Sequence, residues 1–146
     1  MKKRIIISSL ITVLFSLILV SASFLALFNM YEIHRANETL GIYNNFLAEE
    51  LKKGDINFEQ YKINNKNVRF TIISKNGTVL YDTTGNTQGN HLDREEVKNA
   101  FLKGNGSSVR YSKTEAANLV YYATKINDDV VIRSSVKTST ISVFLS

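Results

Sequence analysis

The sequence predicts an α+β protein in which a membrane-spanning helix continues into a long helix and is followed by a domain with one five-stranded antiparallel sheet. Three observations predict this class. Residues 5–28 form an uncharged, mostly apolar run. Apolar residues then recur at helical spacing over residues 29–53. From residue 68 the period changes to the alternation of half-buried strands, interrupted by one short helical segment, which gives the order β-β-α-β-β-β after the long helix.

The first 28 residues have the pattern of a membrane anchor. Lys2, Lys3 and Arg4 precede the apolar run, whose 24 residues cover about 36 Å as a helix, enough to cross a hydrocarbon core about 30 Å thick. The basic cluster predicts a cytoplasmic N-terminus at the cell membrane, with the rest of the chain outside the cytoplasm. The alternative is a secretory signal cleaved near Ala22, although the run is longer than the apolar region of such signals.

These features divide the chain into three parts. Residues 1–28 are predicted to be the cytoplasmic tip and the membrane helix, and residues 29–137 one extracytoplasmic domain. Residues 138–146 become apolar again and are predicted to begin a second, truncated membrane helix, the alternative being a frayed tail.

The composition excludes several functional classes. Of 18 Lys and Arg residues, three precede the apolar run, so the outer part carries 15 of them against 13 Asp and Glu. This small excess argues against a nucleic-acid partner, which needs clustered basic residues. The chain contains no cysteine, which excludes disulfides, thiolate metal sites and a cysteine nucleophile.

The segment 29–53 is predicted to be an amphipathic helix that ends near Gly54. Its apolar stripe packs either on the sheet of its own chain or against a second copy in a dimer. The stripe consists of Leu40, Tyr43, Phe46, Leu47 and Leu51.

Five segments are predicted to be strands, and short connections favour antiparallel pairing. Residues 68–72 and 78–82 are joined by Asn76-Gly77, a strong hairpin signal. Residues 107–112, 119–126 and 130–136 supply the other three strands. We expect the helices to cover one side of this sheet.

The segment from Leu92 to Gly104 is predicted to be a short helix. Asp93 is the expected N-cap and Glu96 completes a capping box, while Leu92 and Val97 form a hydrophobic staple. Gly104 supplies the left-handed position that ends the helix.

Three stretches of sequence resemble one family. They are residues 70–82 (FTIISKNGTVLYD), residues 90–97 (NHLDREEV) and residues 106–112 (GSSVRYS), the last followed by Tyr-Tyr-Ala at 121–123. Together they resemble the extracytoplasmic PAS-like (Cache) sensor region of phosphate-regulon-type membrane sensor histidine kinases, over about residues 1–140. The chain departs from the family at Glu95, where the family usually has proline.

The resemblance implies a signal-sensing input region of a two-component sensor histidine kinase. It implies a homodimer, a small-molecule or protein signal, and catalytic modules beyond Ser146, so that this chain itself is not an enzyme. Two alternatives remain open at this point. In the first, the same domain is the sensor domain of a chemotaxis receptor or of a cyclic-dinucleotide enzyme. In the second, the chain is a membrane-anchored binding protein without signalling output.

The sequence predicts no catalytic residue, no metal site and no cofactor. His34 and His91 are the only histidines, and their spacing matches no metal-binding motif. Asp128 and Asp129 are interpreted as turn residues.

The predicted ligand-binding residues are Arg110, Tyr111, Tyr121 and Tyr122. An arginine that faces a pocket beside tyrosine hydroxyls is suited to clamp a carboxylate or phosphate through forked hydrogen bonds. In a strand, Tyr111 shares a face with Val109 while Arg110 points to the other face. The alternative is that Arg110 pairs with a neighbouring acid on a solvated face while the tyrosines pack.

Overall fold

The computed structural model describes residues 2–53, 58–63, 65–113 and 116–138. The predicted helix end at Gly54 and the predicted second membrane helix, apart from Thr138, lie outside these residues. The elements, in chain order, are α1 (Lys2–Lys53), a 3₁₀ turn (Phe58–Gln60), β1 (Lys62–Ile63), β2 (Lys66–Asn67), β3 (Arg69–Ser74), β4 (Val79–Asp82), α2 (Glu95–Lys103), β5 (Asn105–Ser112), β6 (Ala117–Lys125) and β7 (Val130–Lys137).

Helix α1 is continuous over 52 residues, or about 78 Å at the usual rise of an α-helix. The apolar side chains of its first half are exposed. Among the described residues it is the one helix long and apolar enough to cross a membrane. The predicted continuation of the apolar run into the long helix is therefore confirmed.

Strands β3 to β7 form the predicted five-stranded antiparallel sheet, in the spatial order β4-β3-β7-β6-β5. The last strand, β7, lies in the centre and pairs with both β3 and β6. Strands β1 and β2 form a separate small hairpin. At the predicted turn between β3 and β4, Gly77 has φ 85° and donates its N–H to the Ser74 carbonyl at 2.8 Å.

One face of the sheet is covered by the outer half of α1. Leu40 and Leu47 are fully buried and belong to the main core cluster, so they pack on the sheet of their own chain. Phe46, which the sequence placed in the same stripe, is exposed instead. The core on this face consists of Ala36, Leu40, Leu47, Tyr61, Val68, Phe70, Val120, Ile132 and Val136.

Helix α2 covers the opposite face, where Val97 and Ala100 pack on Ile73, Ala123 and Val131. The prediction of helices on one side only is therefore wrong. The physical reason is that β7 is buried along almost its whole length. A central strand buried on both faces needs a covering layer on each side.

The start of α2 also differs from the prediction. The helix begins at Glu95 after Arg94, and no side chain caps it. Asp93 is exposed and pairs with Lys98 at 3.2 Å, while Glu96 is fully buried. The capping box is wrong because the Glu96 carboxylate points at the sheet rather than back to the helix N-terminus. The predicted end is confirmed, since Gly104 has φ 94° and donates its N–H to Ala100 at 2.9 Å.

Candidate functional site

The sheet face beneath α2 carries a cluster of charged and polar side chains. Cross-strand partners share a face, and the register pairs Thr71 with Arg133 and Tyr121 with Ser135. Helix α2 lies close to β5 at Gly106. A Cβ atom on this residue would be only 2.4 Å from the Glu96 carbonyl oxygen. The cluster comprises Arg69, Thr71, Asp82, Glu96, Ser108, Arg110, Tyr121, Arg133 and Ser135.

Arg110 and Glu96 form one closed ion pair. Nη1 of Arg110 lies 2.6 Å from Oε2 of Glu96, and Nη2 donates to Oε1 at 2.8 Å. Ser108 also donates to Oε2, at 2.7 Å. Burial alone would raise the pKa of Glu96, but the hydrogen bonds from Arg110 and Ser108 outweigh it and lower the pKa to about 2. The Arg110 guanidinium carbon lies 3.8 Å from the ring centroid of Tyr121.

Arg69 and Asp82 form a second closed pair. Nε of Arg69 donates to both carboxylate oxygens at 3.1 Å, and Nη2 lies 3.0 Å from Oδ2. Thr71 donates to Oδ2 at 2.8 Å, and the Thr84 backbone N–H donates to Oδ1 at 2.8 Å. Burial would raise the pKa of Asp82, but the hydrogen bonds from Thr84, Arg69 and Thr71 lower it.

Arg133 lies on the central strand and has no such carboxylate partner of its own. Its side chain is 4% exposed, and Nη1 lies 3.6 Å from Glu96 Oε1. Nη2 donates to Thr71 Oγ1 at 3.2 Å, while Nε is buried without a hydrogen-bond partner. Burial lowers the pKa of Arg133 to about 10, against the attraction of Glu96. The guanidinium is therefore still charged at neutral pH.

His91 lies in the connection between β4 and α2, and its pKa is affected by the charges of this cluster. Burial, followed by the charges of Arg133 and Arg94, lowers the pKa of His91 to about 4. The imidazole is therefore neutral at neutral pH, and its buried Nδ1 has no hydrogen-bond partner.

The structure separates the four predicted ligand-binding residues. Arg110 and Tyr121 lie together beneath α2. Tyr111 is exposed on the other face of the sheet, because successive side chains of a strand alternate. Tyr122 lies on that other face too, and its ring is 3.3 Å from the position of a Cβ at Gly41 in α1. The fork of Arg110 is occupied by an acid, as the alternative interpretation expected, but the acid is the fully buried Glu96, so the pair does not lie on the solvated face that this alternative assumed.

Sequence reasoning missed Arg69, Asp82 and Arg133 and assigned Glu96 to a helix cap. A signal for Arg133 was present, since this charged residue stands in the middle of a strand whose other residues, apart from Lys137 at its end, are apolar or small. Such a residue is rarely buried without a partner. The partners themselves are 37 or more positions away in the chain, so spacing alone does not reveal them.

One buried polar residue connects α1 to the sheet. The Asn44 side chain lies between Leu40 and Leu47 on the packed face of the helix and is fully buried. Its Nδ2 donates to the Tyr122 carbonyl and to Thr124 Oγ1, each at 3.2 Å, and to the Ile132 carbonyl at 3.4 Å. A single amide thus links the helix to β6 and β7.

Within the part of the chain that the structure describes, no group of three or more His, Asp or Glu side chains is arranged to hold a metal ion. No protein-family model matches the chain, and neither a curated protein nor a solved structure is significantly similar to it. The resemblance to sensor histidine kinases therefore stays a prediction.

Acidification is expected to destabilise the domain through His91. Its folded-state pKa of about 4 lies below the ordinary value of 6.5. As the pH falls from 6.5 to 4 the unfolded state binds the proton first, so the stability present above 6.5 is lost in this window. Urea midpoints at about pH 7 and about pH 5 should differ less in His91→Phe than in the wild type. His34→Phe, which alters an exposed histidine, is the control, and equal pH dependence in all three proteins would contradict the expectation.

Proposed function

We propose that this chain is the extracytoplasmic signal-sensing input region of a membrane-bound two-component sensor histidine kinase. The observation that carries the proposal is the position of the two ends of the sheet domain. Lys137 and Thr138, at the end of β7, line a small cavity together with Glu32 and Arg35 of α1. The chain thus returns to the level at which α1 leaves its apolar, membrane-compatible half, as a domain held between two membrane helices requires.

The architecture supports the same proposal. The five-stranded antiparallel sheet, with α2 between its second and third strands, agrees with the PAS-like (Cache) domain that the resemblance implies. Helix α1 packs directly on β6 and β7, so the element that crosses the membrane also touches the centre of the sheet. A signal that favours one of two helix–sheet packings would be transmitted along this rigid helix.

The charge cluster beneath α2 is the proposed sensing site, and the signal that binds there is a small molecule or a protein. Its two ion pairs join α2 to β5 and β3 to β4, so a ligand that competes for either arginine alters the packing of this face. The proposed kinase is a homodimer. Ile42 and Phe46, one turn apart and exposed on α1, are available to a second copy.

The topology is tested with a reporter enzyme that is active only outside the cytoplasm. Fused after Lys137, it should be active, and the mature protein should retain residues 1–28. A fusion before Lys2 is the matched control and should be inactive. Recovery of a soluble form that begins near Ser23 would contradict the membrane anchor.

The output is tested by the coding sequence that follows Ser146. A second membrane helix followed by a phosphoacceptor helix and an ATP-binding domain would support the kinase. A chemotaxis signalling coiled coil would instead identify a chemotaxis receptor, and a cyclic-dinucleotide domain would identify a cyclic-dinucleotide enzyme. A natural stop codon would favour an anchored binding protein without signalling output.

A further inference from the structure

The end of the sheet domain nearest the apolar half of α1 carries several exposed cations. Arg35 of α1 and Lys137 of β7 line the same small cavity. Ile63 of β1 lines it too, and its antiparallel partner on β2 is Lys66. Arg35, Lys66 and Lys137 are all exposed, so their charges face the solvent at this end of the domain.

A fourth cation, Lys113, lies at the same end. Strand β6 starts there, because Val120 lines the cavity whereas Thr124 accepts a hydrogen bond from Asn44, further along α1. The last residue of β5 pairs with the first residue of β6, so Lys113, which follows β5 and is exposed, is also at this end. The four cations form the basic end of the domain: Arg35, Lys66, Lys113 and Lys137.

Few carboxylates balance the basic end. Three of its members take part in no ion pair within the part of the chain that the structure describes: Arg35, Lys66 and Lys113. Two acids of α1 are near, Glu32 in the cavity wall and Glu38, whose Oε1 lies 3.3 Å from Nε2 of His34. Glu115 is outside the described residues. The described side chains of this end therefore carry an excess of positive charge.

The basic end lies within reach of a membrane surface. The apolar run ends at Phe28, so the Cα atom of Arg35 is about 10 Å further along α1 than the edge of the hydrocarbon core. The headgroup layer beyond that edge is about 5–8 Å thick, and charges interact over a Debye length of about 8 Å at physiological salt. Tyr31, between the two residues, is exposed, and tyrosine is enriched at membrane–water interfaces.

We propose that the basic end binds the anionic headgroups of phospholipids in the leaflet from which the domain emerges. Phosphate oxygens accept charge-assisted hydrogen bonds from guanidinium and ammonium groups. The cavity has a volume of about 20 Å³, room for one water molecule rather than for an enclosed phosphate ion. A surface of headgroups therefore fits the exposed cations better than a single bound anion does. This inference rests on the membrane anchor of the proposed function.

The test measures which lipid associates with the full chain. The chain is reconstituted in phosphatidylcholine vesicles that contain a trace of spin-labelled phosphatidylglycerol or spin-labelled phosphatidylcholine. The immobilised fraction of each label gives the ratio of the two association constants, which should favour phosphatidylglycerol. The preference should fall in about 1 M sodium chloride, where the Debye length is about 3 Å. Inorganic phosphate, added at constant ionic strength, should leave the ratio unchanged.

Two double variants locate the contact. Lys66→Glu/Lys113→Glu should lower the ratio by at least about twofold, since each cation near an anionic surface contributes about fivefold to one contact and the label averages over all surrounding lipids. Lys75→Glu/Lys103→Glu is the matched control and should leave the ratio unchanged. It makes the same change in net charge on exposed lysines at the opposite end, where Lys75 bonds to the β6–β7 connection and Lys103 precedes the start of β5. The cytoplasmic cluster at residues 2–4 is the same in both variants.

Circular dichroism checks that each variant folds. If the glutamate substitutions prevent folding, Lys66→Gln/Lys113→Gln and Lys75→Gln/Lys103→Gln make the same comparison. The proposal is overturned if the wild type shows no preference for phosphatidylglycerol, or if both double variants lower the ratio equally or neither lowers it. Loss of the preference on addition of inorganic phosphate would overturn it too, because the basic end would then be a site for the free ion.

The reporter fusions separate this proposal from the proposed function. An active fusion after Lys137, together with equal association of the two lipids, rejects the lipid contact and leaves the membrane topology intact. Recovery of a soluble form that begins near Ser23 rejects the membrane anchor, and the lipid contact with it.

Discussion

Replacing Glu96 by glutamine is expected to lower the free energy of unfolding by about 3–5 kcal/mol. The fully buried carboxylate accepts both prongs of Arg110 and is the nearest acid to Arg133. Glutamine keeps the shape of the side chain but removes the charge, so two guanidinium groups share a buried face without a counter-ion. The cost is therefore the penalty of uncompensated buried charge rather than the loss of one hydrogen bond.

Urea unfolding followed by circular dichroism at about pH 7 measures this effect. Glu95→Gln is the matched control, because Glu95 is the exposed neighbour on the same helix and its change should be within about 0.5 kcal/mol. Equal losses in the two variants would refute the role of the Glu96 carboxylate.

The stability that the Glu96 carboxylate contributes is also expected to depend on pH. Glu96 has a folded-state pKa of about 2 against an ordinary value of 4.5. Its contribution is therefore complete above pH 4.5 and is lost as the pH falls through 4.5 to 2. The difference between the wild type and Glu96→Gln should shrink over this window.

Replacing Asn44 by aspartate is expected to destabilise the packing of α1 on the sheet by about 3 kcal/mol. The Asn44 amide donates to the carbonyl oxygens of Tyr122 and Ile132. A carboxylate has no proton to donate, and it would place a buried negative charge against two carbonyl dipoles. The substitution changes almost no volume, so the loss reports the lost donor and the added charge.

Asn45→Asp is the matched control, because Asn45 is the exposed next residue of the helix. Hydrogen exchange of the full chain in nanodiscs should show faster exchange over the outer half of α1 and the facing strands in Asn44→Asp, and no change in Asn45→Asp. Unaltered protection in both variants would mean that Asn44 does not hold the helix on the sheet. Under the proposed function, Asn44→Asp would also uncouple the sheet from the membrane helix.

Most of the elements could be predicted because their signals are local. The apolar run of residues 5–28 and the helical spacing after it predicted one continuous helix, which is α1. Alternation predicted the five strands of the sheet, and a glycine at each of two positions predicted the turn at Gly77 and the helix end at Gly104. These patterns express backbone preferences and the period of one element, and they need no knowledge of its neighbours.

The wrong predictions concern residues whose role depends on a neighbour distant in sequence. Glu96 occupied the position of a capping-box residue, but tertiary ion pairs with Arg110 and Arg133 outweigh a local hydrogen bond at the helix start. Phe46 fitted the apolar stripe by spacing, yet the rotation of α1 on the sheet leaves it exposed.

By itself, the sequence determined the α+β class, the membrane-compatible helix and the succession of strands, because hydrophobic period and turn chemistry act over a few residues. Only the tertiary structure decided that both faces of the sheet are covered, that Arg110 forms an ion pair with Glu96, and that Arg133 has no carboxylate of its own. The physical reason is that a charge is matched by whatever the fold brings within a few ångströms of it. Strand order and helix docking set those distances, and the one-dimensional pattern does not contain them.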